Sequence, residues 1–561
     1  MVIETLTQLV QDAADAAGLD IQVPPVEPAK KAGHGDYQSN VAFRLAKVVG
    51  NPRKAGELLA ANMPEHAALD KVEVAGPGFL NLHLSGAWLG ETLANQARDT
   101  FGVQQHDGTV VIDYSSPNVA KRMHVGHLRS TVIGAALHRM YQFSGYTVVA
   151  DNHIGDWGTQ FGKLIVAWDA WADEQAFAAD PIGELERIYV KFSQDADDAM
   201  NEQARAETAK LQAGDERNRG LWTMFIDASM KEFDALYDRM GIRFDVTYGE
   251  SHYDAMLQPL VEGLLESGGA ELSKGAVVIA FPDHKQLKDQ PMLIRKADGA
   301  ALYGTTDLAT VQFRQQEWAP KKMVYVTDTR QQHHFNQLFV ACQQLGWATE
   351  DQLEHVWFGL LSLPEGAMSS RKGNVIRLKD LLDEAVSRAR AVVDEKSAHL
   401  PEEERAAIAE AVGVGAVRYA DLSQNPQTNV VFEWDKMLSM EGNTAPFMLY
   451  SLARCRSIQR KGELTRELTT FNPESDLERA LTLRLLRFPQ AVETAVRTHR
   501  PNVVCEYLFR LAKSLNAFYM DHNVLQSEGN DRNTRVNLVE ATARTLETGL
   551  TLLGIQPLER M

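Results

Sequence analysis

One segment of the sequence gathers most of the side chains that could do chemistry. Within residues 113–130, His124 and His127 stand three positions apart, with Gly126 between them and Lys121 just before. The segment follows a buried-type strand and opens a helix, which in an open parallel sheet is where ligands bind. The free N–H groups and positive dipole end of such a helix favour a polyphosphate. Imidazole donors there would stabilise negative charge on a transferred group, so the segment predicts a nucleotide site.

Other interpretations of the two histidines remain open at this point. The pair could be half of a metal site, or polar residues on a solvated helix start, and HxGH alone is a weak signal. A metal would need a third ligand and an outer-shell partner, which no spacing in the sequence identifies. The neighbouring Lys121 and Arg129 favour the nucleotide.

The elements around this segment predict a parallel sheet. Residues 109–114 form a strand, 128–143 a helix and 147–150 a second strand, which is a βαβ unit. Strand-like runs return at 276–281, 323–326 and 355–361, so the α/β domain continues to about residue 380. Its start lies near 106.

Three other regions have their own patterns. Residues 1–105 mix helices with an alternating strand pair around the turn 76–78, a small α+β domain. Residues 169–231 are charged and helical, an insertion in the sheet domain, and 381–561 read as a helical bundle. The predicted fold class is α/β plus α, with a Rossmann-like parallel-sheet catalytic domain at 106–380.

Composition limits the possible classes of protein. A chain of 561 residues, with 57 basic and 75 acidic side chains and a net charge of −18, is not drawn to polyanions by overall charge. At ~150 residues per domain, the length fits three to four domains. The three cysteines form no CxxC pair, which favours a reducing, cytoplasmic location. No targeting segment or apolar membrane span is evident, so no membrane partner is expected.

Several motifs together resemble one known family. The run Ser115-Ser-Pro-Asn-Val-Ala-Lys-Arg-Met-His-Val-Gly-His-Leu-Arg-Ser-Thr is similar to the HIGH-motif region of class I aminoacyl-tRNA synthetases, and its surroundings resemble the arginyl-tRNA synthetase family. Gly35-Asp-Tyr-Gln, Gly155-Asp-Trp-Gly-Thr-Gln and Met437-Leu-Ser-Met-Glu-Gly-Asn-Thr-Ala-Pro extend the likeness end to end.

The resemblance implies which residues contact ATP. They are His124, Gly126 and His127 at the HIGH-like motif, and Met368, Ser369, Ser370 and Arg371 in a stretch that resembles the KMSKS loop. That stretch lacks lysine at the motif's first and fourth positions. We expect Lys121 to supply the missing ammonium, with Lys372 as the other catalytic candidate. Arg122 stands where the family usually has proline.

The resemblance also implies an arginine pocket. A guanidinium is planar, forked and permanently charged, so it calls for carboxylates in bidentate positions. Asp307 and Glu250 would hold it, with Tyr303 lining the cavity, and three further residues would bind the amino end or nearby polar atoms: Asp113, Asn118 and Gln331.

The implied reaction has two steps. Arginine and ATP form arginyl-adenylate, and a terminal ribose hydroxyl of tRNA(Arg) then takes the arginyl group; tRNA is expected to bind before the first step. Mg²⁺ would arrive with ATP, and no metal site can be identified in the sequence. The helical third resembles an anticodon-binding bundle, and Tyr37, Gln38 and Asn40 lie in a domain that resembles the family's tRNA-contacting domain. Family likeness implies a monomer.

Two other functions remain as alternatives. An HxGH-type adenylyltransferase acting on a small acid would share the nucleotide loop but would not need a helical third for RNA. A non-catalytic tRNA-binding paralogue would keep the bundle and lose the nucleotide groups, and the intact His124, Gly126 and His127 argue against it.

Overall fold

The computed structural model describes residues 2–29, 33–98, 100–297, 299–300, 302–362 and 376–561. The amino-terminal unit is α+β, as its sequence pattern predicts. Two hairpin strands meet at the turn 76–78, and the four strands pair antiparallel in the order β1-β2-β4-β3. Its elements are α1 (Val2–Ala16), β1 (Glu27–Pro28), β2 (Tyr37–Ser39), α2 (Val41–Val49), α3 (Pro52–Ala61), β3 (Leu69–Ala75), β4 (Phe79–Leu84) and α4 (Gly86–Gln96).

A four-stranded parallel sheet forms the centre of the chain, in the order β11-β10-β5-β6. Its central strands are almost wholly buried because helices cover both faces, as parallel sheets require. The elements up to the second strand and the helix that follows it are β5 (Thr109–Asp113), α5 (Val125–Phe143), β6 (Thr147–Asp151) and α6 (Thr159–Trp171).

A helical insertion and a small sheet interrupt this parallel sheet. The insertion extends beyond its predicted end at 231, and the predicted strand at 276 joins a separate antiparallel sheet, β7-β8-β9. The elements are α7 (Glu174–Ala179), α8 (Pro181–Asp195), α9 (Asp198–Gln212), α10 (Glu216–Arg239), α11 (Glu250–Glu266), β7 (Glu271–Ser273), β8 (Ala276–Ile279), β9 (Met292–Arg295), α12 (Tyr303–Trp318), β10 (Lys322–Asp328), α13 (Gln332–Gln344), β11 (Leu353–Phe358) and β12 (Leu361–Ser362).

The last part of the chain is helical apart from one short strand. That strand, Val430–Val431, pairs in parallel with Leu361–Ser362. It therefore connects the helical region to the chain that follows the parallel sheet. The elements are α14 (Leu378–Lys396), α15 (Glu402–Leu422), β13 (Val430–Val431), α16 (Trp434–Met437), α17 (Ala445–Gly462), α18 (Asp476–Leu485), α19 (Phe488–Thr498), α20 (Asn502–Asp521) and α21 (Gly529–Leu552).

The ends of the chain pack on each other. Arg479 on α18 pairs with Asp36 of the amino-terminal unit, and α4 lies so close to the helical region that a Cβ on Gly90 would clash with the Phe471 carbonyl oxygen. The predicted fold class is confirmed. No helix within the described ranges has the length and apolar character needed to cross a membrane.

Candidate active site

Three parallel strands end in aspartate at the same edge of the sheet. Asp113 closes β5, Asp151 closes β6 and Asp328 closes β10. Because the carboxyl ends of parallel strands meet at one edge, this edge is where a ligand binds. Helix α5 begins above it, as the sequence predicts.

The two histidines cap the start of α5 and lock each other. The Gly126 N–H donates to His124 Nδ1 at 3.0 Å, and the His124 N–H donates to His127 Nδ1 at 3.1 Å. Their ring centroids lie 4.0 Å apart. Since Nδ1 of each neutral ring accepts a hydrogen bond, the proton must sit on Nε2. Both rings therefore present Nε2–H donors.

Electrostatics keep both rings neutral. Burial lowers the pKa of His127 to about 3, and burial together with the charge of Arg330 lowers the pKa of His124. Neutral imidazoles donate hydrogen bonds to phosphate oxygens but do not act as acids at pH 7. Gly126 has a role that the sequence did not indicate: a Cβ there would lie 2.7 Å from His124 Cε1, so the glycine makes room for the histidine ring.

The loop before the histidines is strained and firmly held. Ser115, Ser116 and Ala120 all have positive φ, at 72°, 48° and 60°. Such conformations persist only where the surroundings over-determine them. Here the Ser115 hydroxyl lies 2.8 Å from the hydroxyls of Thr131 and Tyr237, and the Ala120 N–H donates to Ser229.

Lys121 and Arg122 face the helical insertion. Lys121 Nζ lies 5.0 Å from the centre of the Tyr189 ring on α8. The Arg122 N–H donates to Glu186 at 2.7 Å, a bond that a proline could not make, and its guanidinium pairs with Asp180. Arg122 therefore ties the loop to the insertion through α8.

The KMSKS-like residues Met368, Ser369, Ser370, Arg371 and Lys372 lie outside the described residues. The chain that follows them returns to the HIGH-like segment. The Val125 N–H donates to the Ile376 carbonyl at 3.0 Å, and the Leu378 N–H donates to the Met123 carbonyl at 2.9 Å. The chain from residue 376 onward is thus joined to the HIGH-like segment by backbone hydrogen bonds.

A cluster of carboxylates surrounds Tyr303 at the start of α12. The pKa of Tyr303 is raised first by the charge of Asp307, then by burial, and also by the charges of Asp113, Glu250 and Asp328. The Tyr303 side chain is half exposed, so the carboxylate cluster is open to solvent there. Such a site would attract a ligand with more than one positive group.

Asp307 and Glu250 differ in their neighbours within this cluster. Asp307 is buried and lies 2.5 Å from Nε2 of His334, whose ring also contacts Tyr303. Burial raises the pKa of Glu250 to about 7; the charge of His153 opposes that rise, while Asp156 and Asp307 add to it. His153 and His334 were missed by the sequence analysis, although each follows a strand end by a few residues.

Asp113 is part of a buried ion triad. Arg314 Nη2 on α12 lies 2.7 Å from both Asp113 Oδ2 and Asp151 Oδ2, and the arginine has no exposed surface. The other oxygen of Asp113 accepts from the Ser116 hydroxyl at 3.0 Å. Arg314 neutralises part of the charge of Asp113, and the two hydrogen bonds fix the direction of its carboxylate.

The remaining predicted arginine ligands differ in exposure. Asn118 is exposed and pairs with Gly155 through a β-bridge; a Cβ on Gly155 would lie 2.2 Å from Asn118 Oδ1. Gln331 has a buried Oε1 without a hydrogen-bond partner in the described structure. A buried acceptor without a partner is unfavourable, so Gln331 fits a residue that awaits a ligand donor.

The predicted tRNA-contacting residues divide by burial. Tyr37 has no exposed surface and lies beneath Arg487, with 5.8 Å from guanidinium to ring centre, so it cannot touch tRNA in this arrangement. Its position in β2 points the ring into the core, and its predicted contact with tRNA stays a prediction. Gln38 is half-buried and Asn40 exposed, so both can reach solvent.

No group of three or more metal-binding side chains is found in the described part of the chain.

Replacing Arg314 by methionine is expected to lower the free energy of unfolding by about 3–5 kcal/mol, because two buried carboxylates then lack their counter-ion. A denaturant titration followed by fluorescence measures the loss. Arg205→Met, which removes an exposed pair with Glu202, is the control and should change stability by at most about 0.5 kcal/mol. Equal effects of the two substitutions would contradict a special role for the triad.

Comparisons with known proteins identify the family. Three family models match: "tRNA synthetases class I (R), catalytic domain" over 89–434, "DALR anticodon binding domain" over 448–561 and "Arginyl tRNA synthetase N terminal domain" over 4–84. Among curated relatives, an arginine–tRNA ligase of Fusobacterium nucleatum is 46% identical over 99% of both chains, and one of Chloroflexus aggregans is 43% identical over 93% of both.

Solved structures agree with these matches. The arginyl-tRNA synthetase of Plasmodium falciparum superposes with a TM-score of 0.84 at 26% identity, covering 100% of this chain and 99% of that one. That of Thermus thermophilus gives a TM-score of 0.83 at 26% identity, covering 100% of both. The chain belongs to the arginyl-tRNA synthetase family of class I aminoacyl-tRNA synthetases.

Proposed function

We propose that this chain ligates L-arginine to tRNA(Arg) in two steps at the edge of the parallel sheet. The arginine carboxylate attacks the α-phosphorus of ATP and displaces pyrophosphate; the terminal ribose hydroxyl of tRNA then attacks the arginyl carbonyl carbon and releases AMP. Arginine–tRNA ligation is the activity of the relatives and of the family. The observation that carries the site assignment is the carboxylate cluster around Tyr303, which suits a dication.

Arginine binds with its two cationic groups in different parts of the cluster. Asp307 and Glu250 hold the guanidinium, and the ring of Tyr303 covers it. The α-ammonium group lies toward the strand ends, where Asp113, Asn118 and Gln331 accept its hydrogen bonds. His334 supports this division, because its bond to Asp307 fixes the direction of that carboxylate.

The affinity for arginine is expected to rise with pH up to about 7. Glu250 must be ionised to pair with the guanidinium, and its pKa of about 7 leaves it protonated below that pH. The KM for arginine should therefore fall by up to about tenfold per pH unit as the pH rises toward 7, and level off above it.

Steady-state arginine titrations from pH 5.5 to 8.5 measure this dependence. Glu250→Gln should raise the KM for arginine and remove its pH dependence, while the KM for ATP serves as the internal control. A variant that keeps the wild-type pH profile would exclude Glu250 as the titrating group.

ATP binds at the start of α5. The Nε2–H donors of His124 and His127 contact the phosphates, and Gly126 leaves room for the His124 ring. Lys121 supplies the ammonium group that the KMSKS-like stretch lacks. Met368, Ser369, Ser370, Arg371 and Lys372 complete the nucleotide contacts. Mg²⁺ bound to ATP would be held mainly by the nucleotide and by water rather than by protein carboxylates, and it would supply positive charge that neutralises the phosphates.

Two surfaces bind tRNA at sites distant from the chemistry. On the helical region, Arg454 lies between two partly exposed rings, 4.8 Å from the centre of Tyr450 and 5.3 Å from that of Tyr519. Stacked aromatic and guanidinium planes suit unpaired anticodon-loop bases. On the amino-terminal unit, Gln38 and Asn40 contact the tRNA elbow.

The enzyme works as a monomer in the cytoplasm. All three cysteines are buried free thiols, which suits a reducing compartment. Sedimentation at micromolar concentration tests the monomer, and localisation of a tagged chain tests the compartment.

Arginine-dependent ATP–pyrophosphate exchange, run with and without tRNA(Arg), tests the function. We expect exchange with arginine plus tRNA, and none with lysine or glutamate or without tRNA. Exchange with another acid in the absence of tRNA would favour a small-molecule adenylyltransferase. No exchange from folded protein that binds tRNA would leave a non-catalytic tRNA-binding paralogue.

A further inference from the structure

One buried guanidinium joins the nucleotide helix to the helical third of the chain. Arg129 lies on α5, two residues after His127, and is 1% exposed. Its Nε donates to Asp421 Oδ1 on α15 at 2.7 Å, although the two residues are 292 positions apart. Arg129 therefore connects α5, the helix that begins at the two histidines, directly to α15.

The same guanidinium also holds the entry to β12. Arg129 Nη1 donates at 2.8 Å to the carbonyl oxygens of Gly359 and Thr428. These two backbones touch: a Cβ on Gly359 would lie 2.6 Å from the Thr428 carbonyl oxygen, so only glycine fits. Further along, the Leu360 N–H donates to Asn429 Oδ1 at 2.8 Å. The chain entering the KMSKS-like stretch is thus fastened to the turn after α15.

The last turn of α15 is held on its other side by the carboxyl-terminal helices. The Tyr419 hydroxyl lies 2.7 Å from Asn443 Oδ1 and 3.0 Å from the Cys505 carbonyl oxygen on α20. Residues two apart on a helix point in nearly opposite directions, so Tyr419 and Asp421 connect α15 to opposite neighbours. These contacts form a continuous connection from α20 and the 437–445 segment through α15 to α5.

The Arg129–Asp421 contact is only half made. Arg129 Nη2 and Asp421 Oδ2 are both buried, and neither has a hydrogen-bond partner in the described structure. A guanidinium and a carboxylate in this position can form two parallel bonds, which are stronger and more directional than one. A bond from Arg129 Nη2 to Asp421 Oδ2 would satisfy both atoms at once.

We propose that Arg129 is a positioning residue that couples tRNA on the carboxyl-terminal helices to adenylate formation. Bound tRNA moves α15 so that the second Arg129–Asp421 bond closes, and Arg129 then sets the position of α5 and its histidines relative to the chain entering β12. The inference rests on the proposed tRNA-dependent reaction. Coupling of this kind needs an element with two arrangements, and the half-made ion pair is one.

A double substitution separates coupling from folding. Arg129→Met with Asp421→Leu removes both charges together, because replacing a buried ion pair by apolar residues is often tolerated, whereas removing one partner is not. The control is Arg456→Met with Glu540→Leu, a buried pair inside the helical bundle; like Arg129, these residues have further partners, since Arg456 also pairs with Glu547 and Glu540 with Arg544. Full-length proteins are compared by ATP–pyrophosphate exchange at saturating arginine, ATP and tRNA(Arg), by tRNA binding and by thermal midpoint.

We expect the double variant to bind tRNA within about threefold of wild type but to lose at least about 30-fold in kcat for exchange, with little change in KM, since a coupling free energy of 1–3 kcal/mol is typical. The control pair should keep kcat within about threefold. A double variant with kcat within threefold of wild type would overturn the relay, as would a control pair that loses as much activity.

If the double variant does not fold, Asp421→Asn decides, because it leaves Arg129 in place with its bonds to the carbonyl oxygens of Gly359 and Thr428. It keeps the side chain's shape and an acceptor for Arg129 Nε, but a neutral amide cannot complete the charged two-bond contact. A tenfold or greater fall in kcat with unchanged tRNA binding supports the relay, and a smaller fall overturns it. Exchange by wild type without tRNA would instead overturn the proposed tRNA dependence itself, so the two failures are distinguishable.

Discussion

Lys121→Ala is expected to lower the rate of arginyl-adenylate formation by about 100- to 1,000-fold, the usual cost of removing a group that stabilises charge in the transition state. The KMSKS-like stretch has no lysine at its fourth position, and Lys121 precedes His124 by three residues. Its ammonium group lies over the Tyr189 ring, with no carboxylate partner in the described structure that would neutralise it. It is therefore free to meet phosphate charge.

The expected loss is in kcat rather than in KM for ATP, because the ammonium group acts on charge that develops as pyrophosphate leaves. Single-turnover adenylate formation in the presence of tRNA measures it. Lys191→Ala is the matched control, since Lys191 also lies 5.0 Å from an aromatic ring, that of Trp171, and it lies on α8, the helix that carries Tyr189. A Lys121→Ala rate within a few-fold of wild type would leave Lys372 as the remaining candidate.

Local patterns in the sequence predicted much of the fold. The strand–helix–strand unit around His124 followed from apolar runs and from one histidine-glycine motif. The helical third of the chain followed from the helical period of its apolar residues. Both depend on residues close in sequence. The sequence could not place β8 in a separate sheet, because a short apolar run indicates a strand but not its partners.

The parts of the site that were missed depend on contacts between distant residues. Arg314 reaches Asp113 across 201 positions, and Arg129 reaches Asp421 across 292. Neither contact has a local spacing that could reveal it. Tyr37 shows a different limit: its place in a family motif predicted a tRNA contact, whereas the alternation of strand β2 places its side chain in the core.

Asp307→Asn is expected to raise the KM for arginine by at least about 30-fold, because truncating one partner of a buried charged hydrogen bond costs about 2–5 kcal/mol. Asparagine keeps the shape of the side chain but replaces one acceptor oxygen by an N–H donor that faces the guanidinium. It also changes the partner of His334, which lies 2.5 Å from the Asp307 carboxylate. Glu317→Gln on the exposed side of the same helix should leave the KM unchanged.

Citrulline, the neutral isostere of arginine, turns this prediction into a test of charge recognition. Wild type should reject it because the buried Asp307 and the half-buried Glu250 would remain without a cation, whereas Asp307→Asn removes one of the two unpaired charges. The arginine-to-citrulline ratio of kcat/KM should therefore fall by at least tenfold, mainly through weaker arginine binding. A variant that loses activity on both amino acids equally, so that the ratio holds, would show that Asp307 supports the pocket without contacting the guanidinium.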